Sequence, residues 1–334
     1  MTAPRFGFVF DMRNATPWLK PAHDMFAAHL DFIAWTESIG FRNVWFAEHH
    51  GSSDGYLPSP LIMAAAAAAR TRTMRIGTCI ALAPFYHPVR LAEDVAVLDI
   101  LSGGRFDLAL ALGYVQSEAD RYGNNFKKRA RRTDDLLQIV RRLWQGESFD
   151  FESEFFQLKG ARISPLPISK DLPIWIGGNS APAYRRAAKY GDGFFGPVEG
   201  FAEYAAAVEE LGDPAKKPRI CSIGSNDMWH LVSEDPEQTI EDVLDHIVYQ
   251  TNTYAEWMDN NEATSVFKRV TRDELRPAAR TWVMTPDASI DYIKGKMALA
   301  PIEAHGMMAP SGYPLEKLAV HAQIFADKVM PAFA

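Results

Sequence analysis

The chain has 334 residues, 47% hydrophobic and 23% charged, a soluble globular composition at a length that one α/β barrel accommodates. A formal net charge of −7 argues against general affinity for nucleic acid or anionic membranes. Two cysteines, Cys79 and Cys221, leave no disulfide framework and no metal-type spacing, and the longest gentle apolar run, "LIMAAAAAA", is nine residues, far below the roughly 20 that span a bilayer.

The N-terminus "MTAPRFGFVFDMRN" has no basic region, apolar core or cleavage site of a signal peptide, so a cytoplasmic protein is expected. "RFGFVF" (5–10) predicts a strand, and "HDMFAAHLDFIAWTESIG" (23–40) a helix stopped by Gly40. "NVWFAE" (43–48) is the second strand. "PSPLIMAAAAAARTR" (58–72) is helical, with Ser59 as the expected N-cap and Pro60 in the first turn. Strand "RIGTCIAL" (75–82), helix "PVRLAEDVAVLDILSG" (88–103) and strand "RFDLALALG" (105–113) continue the rhythm. It breaks at 114–129, a polar stretch running into "KKRARR" (127–132), which reads as a solvated loop and helix start. A helix at 131–146 follows, then a hairpin in "FDFESEFFQLKGARI". Strand "PIWIGG" (173–178), helix "APAYRRAAKYG" (181–191), strand "GFFGPV" (193–198) and helix "FAEYAAAVEELG" (201–212) resume it. A strand near 219–232, a long helix near 236–258, strand "IEAHGMM" (302–308) and helix "PLEKLAVHAQIFADKVM" (314–330) complete the chain.

Eight strands, each followed by a helix, imply parallel βαβ units. They predict an α/β fold, a (β/α)8 TIM barrel with insertions after strand 4 and strand 7, formed as a single domain over 1–334. An open doubly wound sheet would carry a glycine-rich phosphate turn after its first strand, and "FDMRNAT" has none.

In such barrels the active site lies at the C-terminal ends of the strands. Strand 2 ends on Glu48, His49 and His50, an acid and two imidazoles where an apolar run stops. This is either a polar loop beginning where the core ends or a catalytic mouth. A metal site is the rival: alternation puts Glu48 and His50 on one face, and Asp11, His87 and His305 are further ligand types near strand ends, but nothing fixes their convergence. In "PIWIGGNSAPAY", Gly177 and Gly178 permit close backbone approach and Ser180 stands at a helix start, where unpaired N–H groups and the dipole favour an anion. The alanines of "MAAAAAAR" (63–70) let another helix approach closely, either the protein's own barrel or a second subunit.

Together, "GFRNVWFAEHHGSSDGYLPSP", "RIGTCIALAPFYHPVRLAEDVAVLDILSGGRFDLALALG", "PIWIGGNSAPAYRRAAKYGDGFF" and the final helix resemble the bacterial luciferase-like flavin-dependent monooxygenases. The resemblance covers most of 5–200 and returns at the last helix. It implies reduced FMN bound at the C-terminal face and its reaction with O2 to a C4a-peroxyflavin that oxygenates a small, largely apolar organic substrate. It also implies a separate NAD(P)H-flavin reductase and a homodimer through helices 2 and 3. Within it, His49 matches the catalytic histidine, with Glu48 orienting it. Cys79 and Ile80 match a non-prolyl cis peptide under the flavin ring, Ala111 a small residue near the ring, and Gly178, Asn179 and Ser180 the phosphate turn. The chain departs from luciferases at Leu112, which stands where they place a phosphate-gripping arginine. Tyr114, Tyr122, Arg129 or the backbone at 178–180 must compensate, and Gly113 and Tyr122 are expected among the cofactor-binding residues. A related branch of the superfamily uses the deazaflavin F420 and transfers hydride; it is the alternative. Phe8, Phe10, Trp45, Phe85, Tyr86 and Trp229 are expected to line an apolar pocket beside His49, and 114–129 and 257–280 are candidate lids.

Overall fold

The computed structural model describes residues 3–213, 215–223, 228–258 and 268–334. Eight parallel strands form the barrel: β1 (Arg5–Phe10), β2 (Asn43–Phe46), β3 (Arg75–Thr78), β4 (Phe106–Ala111), β5 (Ile174–Gly177), β6 (Gly193–Gly196), β7 (Ile220–Ser222) and β8 (Ile302–Met308). Sequential neighbours pair all the way round, and β1 closes on β8 with Val9 opposite Met308. The closed α/β barrel is thus the one expected.

Period-two alternation decides which side chains fill the barrel. Phe8 and Phe10 share the outer face and pack on Phe32 of helix α1 (Ala22–Ser38), with ring centroids 5.6 and 6.1 Å apart. Trp45 points the other way, into the barrel. Its indole is admitted by a glycine on the next strand: a Cβ at Gly77 would stand 2.7 Å from Trp45 Cδ1. Trp175 repeats the device, since a Cβ at Gly193 would stand 2.2 Å from its ring. The barrel interior is therefore close-packed at these positions, and in such barrels the site lies at the strand ends.

Outside the barrel lie α2 (Pro60–Arg70), α3 (Pro88–Ser102), α4 (Arg129–Trp144), α5 (Ala181–Tyr190), α6 (Phe201–Glu210), α7 (Pro236–Met258) and α8 (Leu315–Ile324). Gly103 ends α3 in the left-handed conformation at φ 67°, as its sequence position suggests. Pro60 does open α2, but Ser59 makes no side-chain cap bond. Ala64, Ala67 and Ala68 are buried against the protein's own core, while Ile62 on α2 and Leu101 on α3 are 74% and 61% exposed.

Both insertions are present. After β4 the stretch 114–129 is ordered, with a short helix Gln116–Arg121 and a helical turn Phe126–Lys128. The hairpin is there too, Phe149–Glu152 against Gln157–Ala161. After β7, Leu231–Val232 pairs with Val283–Met284 in a separate two-stranded sheet, so the expected strand at 219–232 splits into two. Helix α7 then runs towards the barrel mouth, and a helix Arg272–Ala279 packs along it through Arg272 to Glu241 and Asp245. Of the candidate lid at 257–280, residues 259–267 lie outside the described residues. Among the described residues no helix is long and apolar enough to cross a membrane.

Candidate active site

Strand β2 ends at Phe46, and the chain stays buried through His50. The amide of Ala47 donates to Phe10 O at 3.0 Å and that of His49 to Leu57 O at 3.2 Å. This clamp sends successive side chains to opposite sides. Glu48 turns towards the segment after β3, where Oε2 accepts from the Leu82 amide at 2.8 Å and the Tyr86 hydroxyl at 3.0 Å. Its Oε1 meets His50 Nε2 at 2.8 Å. The expectation that Glu48 orients His49 is therefore corrected: Glu48 holds His50, because residues two apart share a face.

The partner of His49 is Glu118, on the short helix of the β4 insertion. Its Oε1 lies 2.9 Å from His49 Nδ1 and also accepts the His50 backbone N–H at 2.6 Å. His49 Nε2 lies 3.2 Å from the Tyr114 hydroxyl. No motif pointed to Glu118, which stands 69 positions from His49; the only signal was its place in an insertion over a barrel mouth.

Aromatic rings enclose His49. Trp257 lies 4.4 Å away and Tyr56 4.9 Å, centroid to centroid. With Tyr254 these rings also surround the Arg13 guanidinium, at 4.8, 4.6 and 5.1 Å. Burial works against the Arg13 charge, but Asp11, 3.3 Å away, and Asp54, 2.5 Å away, overcome it and hold its pKa above the ordinary arginine value. Helix α7 is tied to the same cluster: Gln250 donates to Asp11 at 2.7 Å, Tyr249 to Asp54 at 2.9 Å, and the hydroxyls of Tyr254 and Tyr56 meet at 3.1 Å. Burial pushes the Tyr254 phenol up to about 12 and those of Tyr56 and Tyr114 well above their usual value. All three stay protonated near neutral pH.

His49 and Tyr114 face a cavity of about 310 Å³ at the C-terminal end of the barrel. Of the expected site residues, Glu48, His49, Cys79, Ile80, Ala111, Gly113, Gly178 and Asn179 all line it. Tyr122 does not: it is 47% exposed, stacks on Phe85 and contacts His50 Nδ1 through its hydroxyl at 3.0 Å. Ser180 sits beyond the cavity, exposed at the start of α5, and makes no side-chain cap bond. The floor is the cis peptide Cys79–Ile80 with Leu82, which pairs with Ala111. Burial raises the Cys79 thiol well above its usual value, so it is an uncharged wall and no nucleophile. The aromatic expectations are corrected. Phe8, Phe10, Trp45, Phe85, Tyr86 and Trp229 are all absent from this lining; Phe195, Pro197, Ile223, Met228, Met258 and Met308 form the apolar wall instead.

Wide surface grooves elsewhere, of about 630 Å³ on α6 and about 470 Å³ beside His50, gather no comparable convergence of buried groups. Among the described residues no three ligand-type side chains converge as a metal site would need. His305 lies within β8, not at its end, and pairs with His230 at 3.1 Å, while His87 is exposed at the start of α3.

The lining fits a flat, largely apolar ring with a polar tail. The floor is uncharged, and Gly178 at φ 141° brings the backbone past the cavity to the first turn of α5, whose leading N–H groups have no intrahelical acceptors. Arg129 lies next to Leu112: its Nε donates to Gly113 O at 3.2 Å, and burial together with nearby Arg186 lowers its pKa. A guanidinium thus stands beside the position where the luciferase arginine is missing.

Fold and site define an α/β-barrel protein with a histidine at the end of β2 facing an apolar mouth. The chain belongs to the luciferase-like monooxygenase family, whose profile matches residues 5–287. It is similar to 4-hydroxyprotoasukamycin monooxygenase of Streptomyces nodosus subsp. asukaensis, 30% identical over 67% of this chain and 64% of that one. It is also similar to the oxygenase component of the flavin-dependent trigonelline monooxygenase of Acinetobacter baylyi, 24% identical over 88% of this chain and 86% of that one. It spans 59% and 64% of the length of the first two curated relatives it matches. Among solved structures, the monooxygenase RslO1 of Streptomyces bottropensis superposes with a TM-score of 0.79 at 24% identity, covering 99% of this chain and 100% of that one. An F420-dependent secondary alcohol dehydrogenase superposes with a TM-score of 0.75 at 19% identity over 100% of both.

Proposed function

We propose that the protein is a flavin-dependent monooxygenase that uses reduced FMN and O2 to oxygenate a small, largely apolar organic substrate. The observation that carries this reading is His49, held between Glu118 and Tyr114 at the edge of a largely apolar cavity. Bound reduced FMN supplies the electrons that activate O2. Cys79, Ile80, Leu82 and Ala111 would lie against its ring. Gly178, Asn179, the first turn of α5 and Arg129 would take its phosphate end.

His49 Nε2 exchanges the proton that the oxygenation step moves, an imidazole being matched to that task near neutral pH. The methionine- and isoleucine-lined wall binds the apolar part of the substrate and keeps water out. This reading takes residues 1–334 as one domain. It includes a separate NAD(P)H-flavin reductase, supported by a relative that is named as an oxygenase component. It also includes a homodimer through α2 and α3, supported by exposed Ile62 and Leu101.

The test is a titration of the purified protein with FMN, reduced FMN and F420, followed by mixing of the reduced-FMN complex with 18O2 and a panel of apolar substrates. Preferential binding of reduced FMN and transfer of label to product is the expected result. Tight F420 binding with no O2 uptake would move the protein to the hydride-transferring branch.

A further inference from the structure

Glu118 is 1% exposed, yet both of its described donors fall on one oxygen. Its Oε2 is buried and, among the described residues, has no hydrogen-bond partner. Burying a carboxylate so incompletely satisfied is costly, and the short helix that carries it pays nothing back in core packing beyond Ala119. The geometry explains what the arrangement fixes. The His50 backbone N–H is an obligatory donor, so Oε1 must be an acceptor. With Glu118 as a carboxylate, His49 Nδ1, 2.9 Å from that same oxygen, carries a proton, because a bare Nδ1 would set two lone pairs against each other. Nε2 is left as the acceptor, 3.2 Å from the hydroxyl of Tyr114.

The other groups around His49 do not compete for this role. Tyr56 after β2 and Tyr254 and Trp257 on α7 meet it through their rings. Arg13 with Asp11 and Asp54 stands behind those rings, and Glu48 and Tyr122 bond His50 instead. Among the described residues the carboxylate in hydrogen-bond contact with His49 is that of Glu118.

We propose that Glu118 is the positioning residue of this site: it locks His49 as the Nδ1–H tautomer, so that Nε2, with the Tyr114 hydroxyl beside it, receives the proton released during turnover. Glu118 touches neither the cavity nor a reacting atom and acts through His49. The inference rests on the role given to His49 above, but the tautomer is measurable without any turnover.

The experiment is a two-bond 1H–15N correlation spectrum of the full chain labelled on histidine, with His49→Asn used to assign the His49 signals. Wild type should give a protonated Nδ1 and an unprotonated Nε2 at neutral pH. Glu118→Ala removes the acceptor that fixes the ring and should let the Nε2–H tautomer appear beside the Nδ1–H form, whereas Glu118→Gln, which keeps an oxygen for both donors, should retain the Nδ1–H form. In Glu118→Ala kcat should fall about tenfold or more with KM for the organic substrate unchanged, and Glu118→Gln should restore most of it. A wild-type Nε2–H tautomer, or a tautomer unchanged in Glu118→Ala, overturns the proposal. If no substrate is oxygenated but the tautomer is as stated, the monooxygenase reading fails and the positioning role of Glu118 stands.

Discussion

Lowering the pH should unfold this barrel through a histidine pair remote from the cavity. His230 and His305 are buried between β8 and the helix Pro286–Leu299, with His230 Nδ1 3.1 Å from His305 Nε2 and His230 Nε2 2.8 Å from Ser289 Oγ. Burial, with Lys296 adding a positive neighbour, lowers the His230 pKa from 6.5 to about 3, and the same causes lower that of His305 well below normal. The unfolded chain therefore binds protons below pH 6.5 that the folded chain refuses until about pH 3, and stability falls as pH drops through that window. Each such histidine contributes about 1.36 kcal/mol per pH unit, so His230 alone costs about 2 kcal/mol between pH 8 and pH 5. The slope needs only a native pKa below the range sampled. Urea unfolding of wild type and His230→Gln at pH 8, 7, 6 and 5 reads it. Whatever the variant's stability at pH 8, its loss by pH 5 should be about 2 kcal/mol smaller than that of wild type. Parallel stability curves would show that His230 is protonated in the folded protein and that the burial argument is wrong.

His49→Ala should keep FMN binding, followed by fluorescence, while lowering the product yield by about 10²–10⁴-fold; unchanged yield removes His49 from the chemistry. Arg129→Ala should weaken FMN binding by about tenfold or more, the worth of one charge-assisted hydrogen bond, and leave riboflavin binding alone. Equal loss for both ligands would show that Arg129 does not hold the phosphate. Gly77→Ala places a Cβ 2.7 Å from Trp45 Cδ1 and 2.8 Å from Asp107 O, and should destabilise the fold by about 1–3 kcal/mol in urea. Wild type is expected to sediment as a dimer and Ile62→Lys with Leu101→Lys as a monomer; a monomeric wild type refutes the interface.

Strand positions were largely legible because buried parallel strands are short apolar runs bounded by glycine, proline and helix signals. β7 was not, since three barrel residues, Ile220–Ser222, are separated by only eight positions from Leu231–Val232, which belongs to another sheet. The cavity floor came through the resemblance, and His49 through its abrupt place at a strand end. Which aromatics face the cavity was illegible: Phe8 and Phe10 share a face, but the sequence does not say that α1 covers it. Glu48 was given the wrong histidine, although alternation along the strand pairs it with His50. Glu118 could not be found, because its meeting with His49 depends on how the β4 insertion folds back over the mouth.

That fold-back divides the inheritance of the site. The barrel contributes the imidazole; the β4 insertion contributes the carboxylate and the phenol that set its proton; α7 and the segments after β6 and β7 contribute much of the apolar wall. On the proposed reading, proton handling and substrate choice are written in separate stretches of chain. Selection can rewrite the wall while the 114–129 stretch is preserved, so relatives that act on unrelated molecules are expected to keep a hydrogen-bonded partner for the imidazole and to differ most in Ile223, Met228 and Met258.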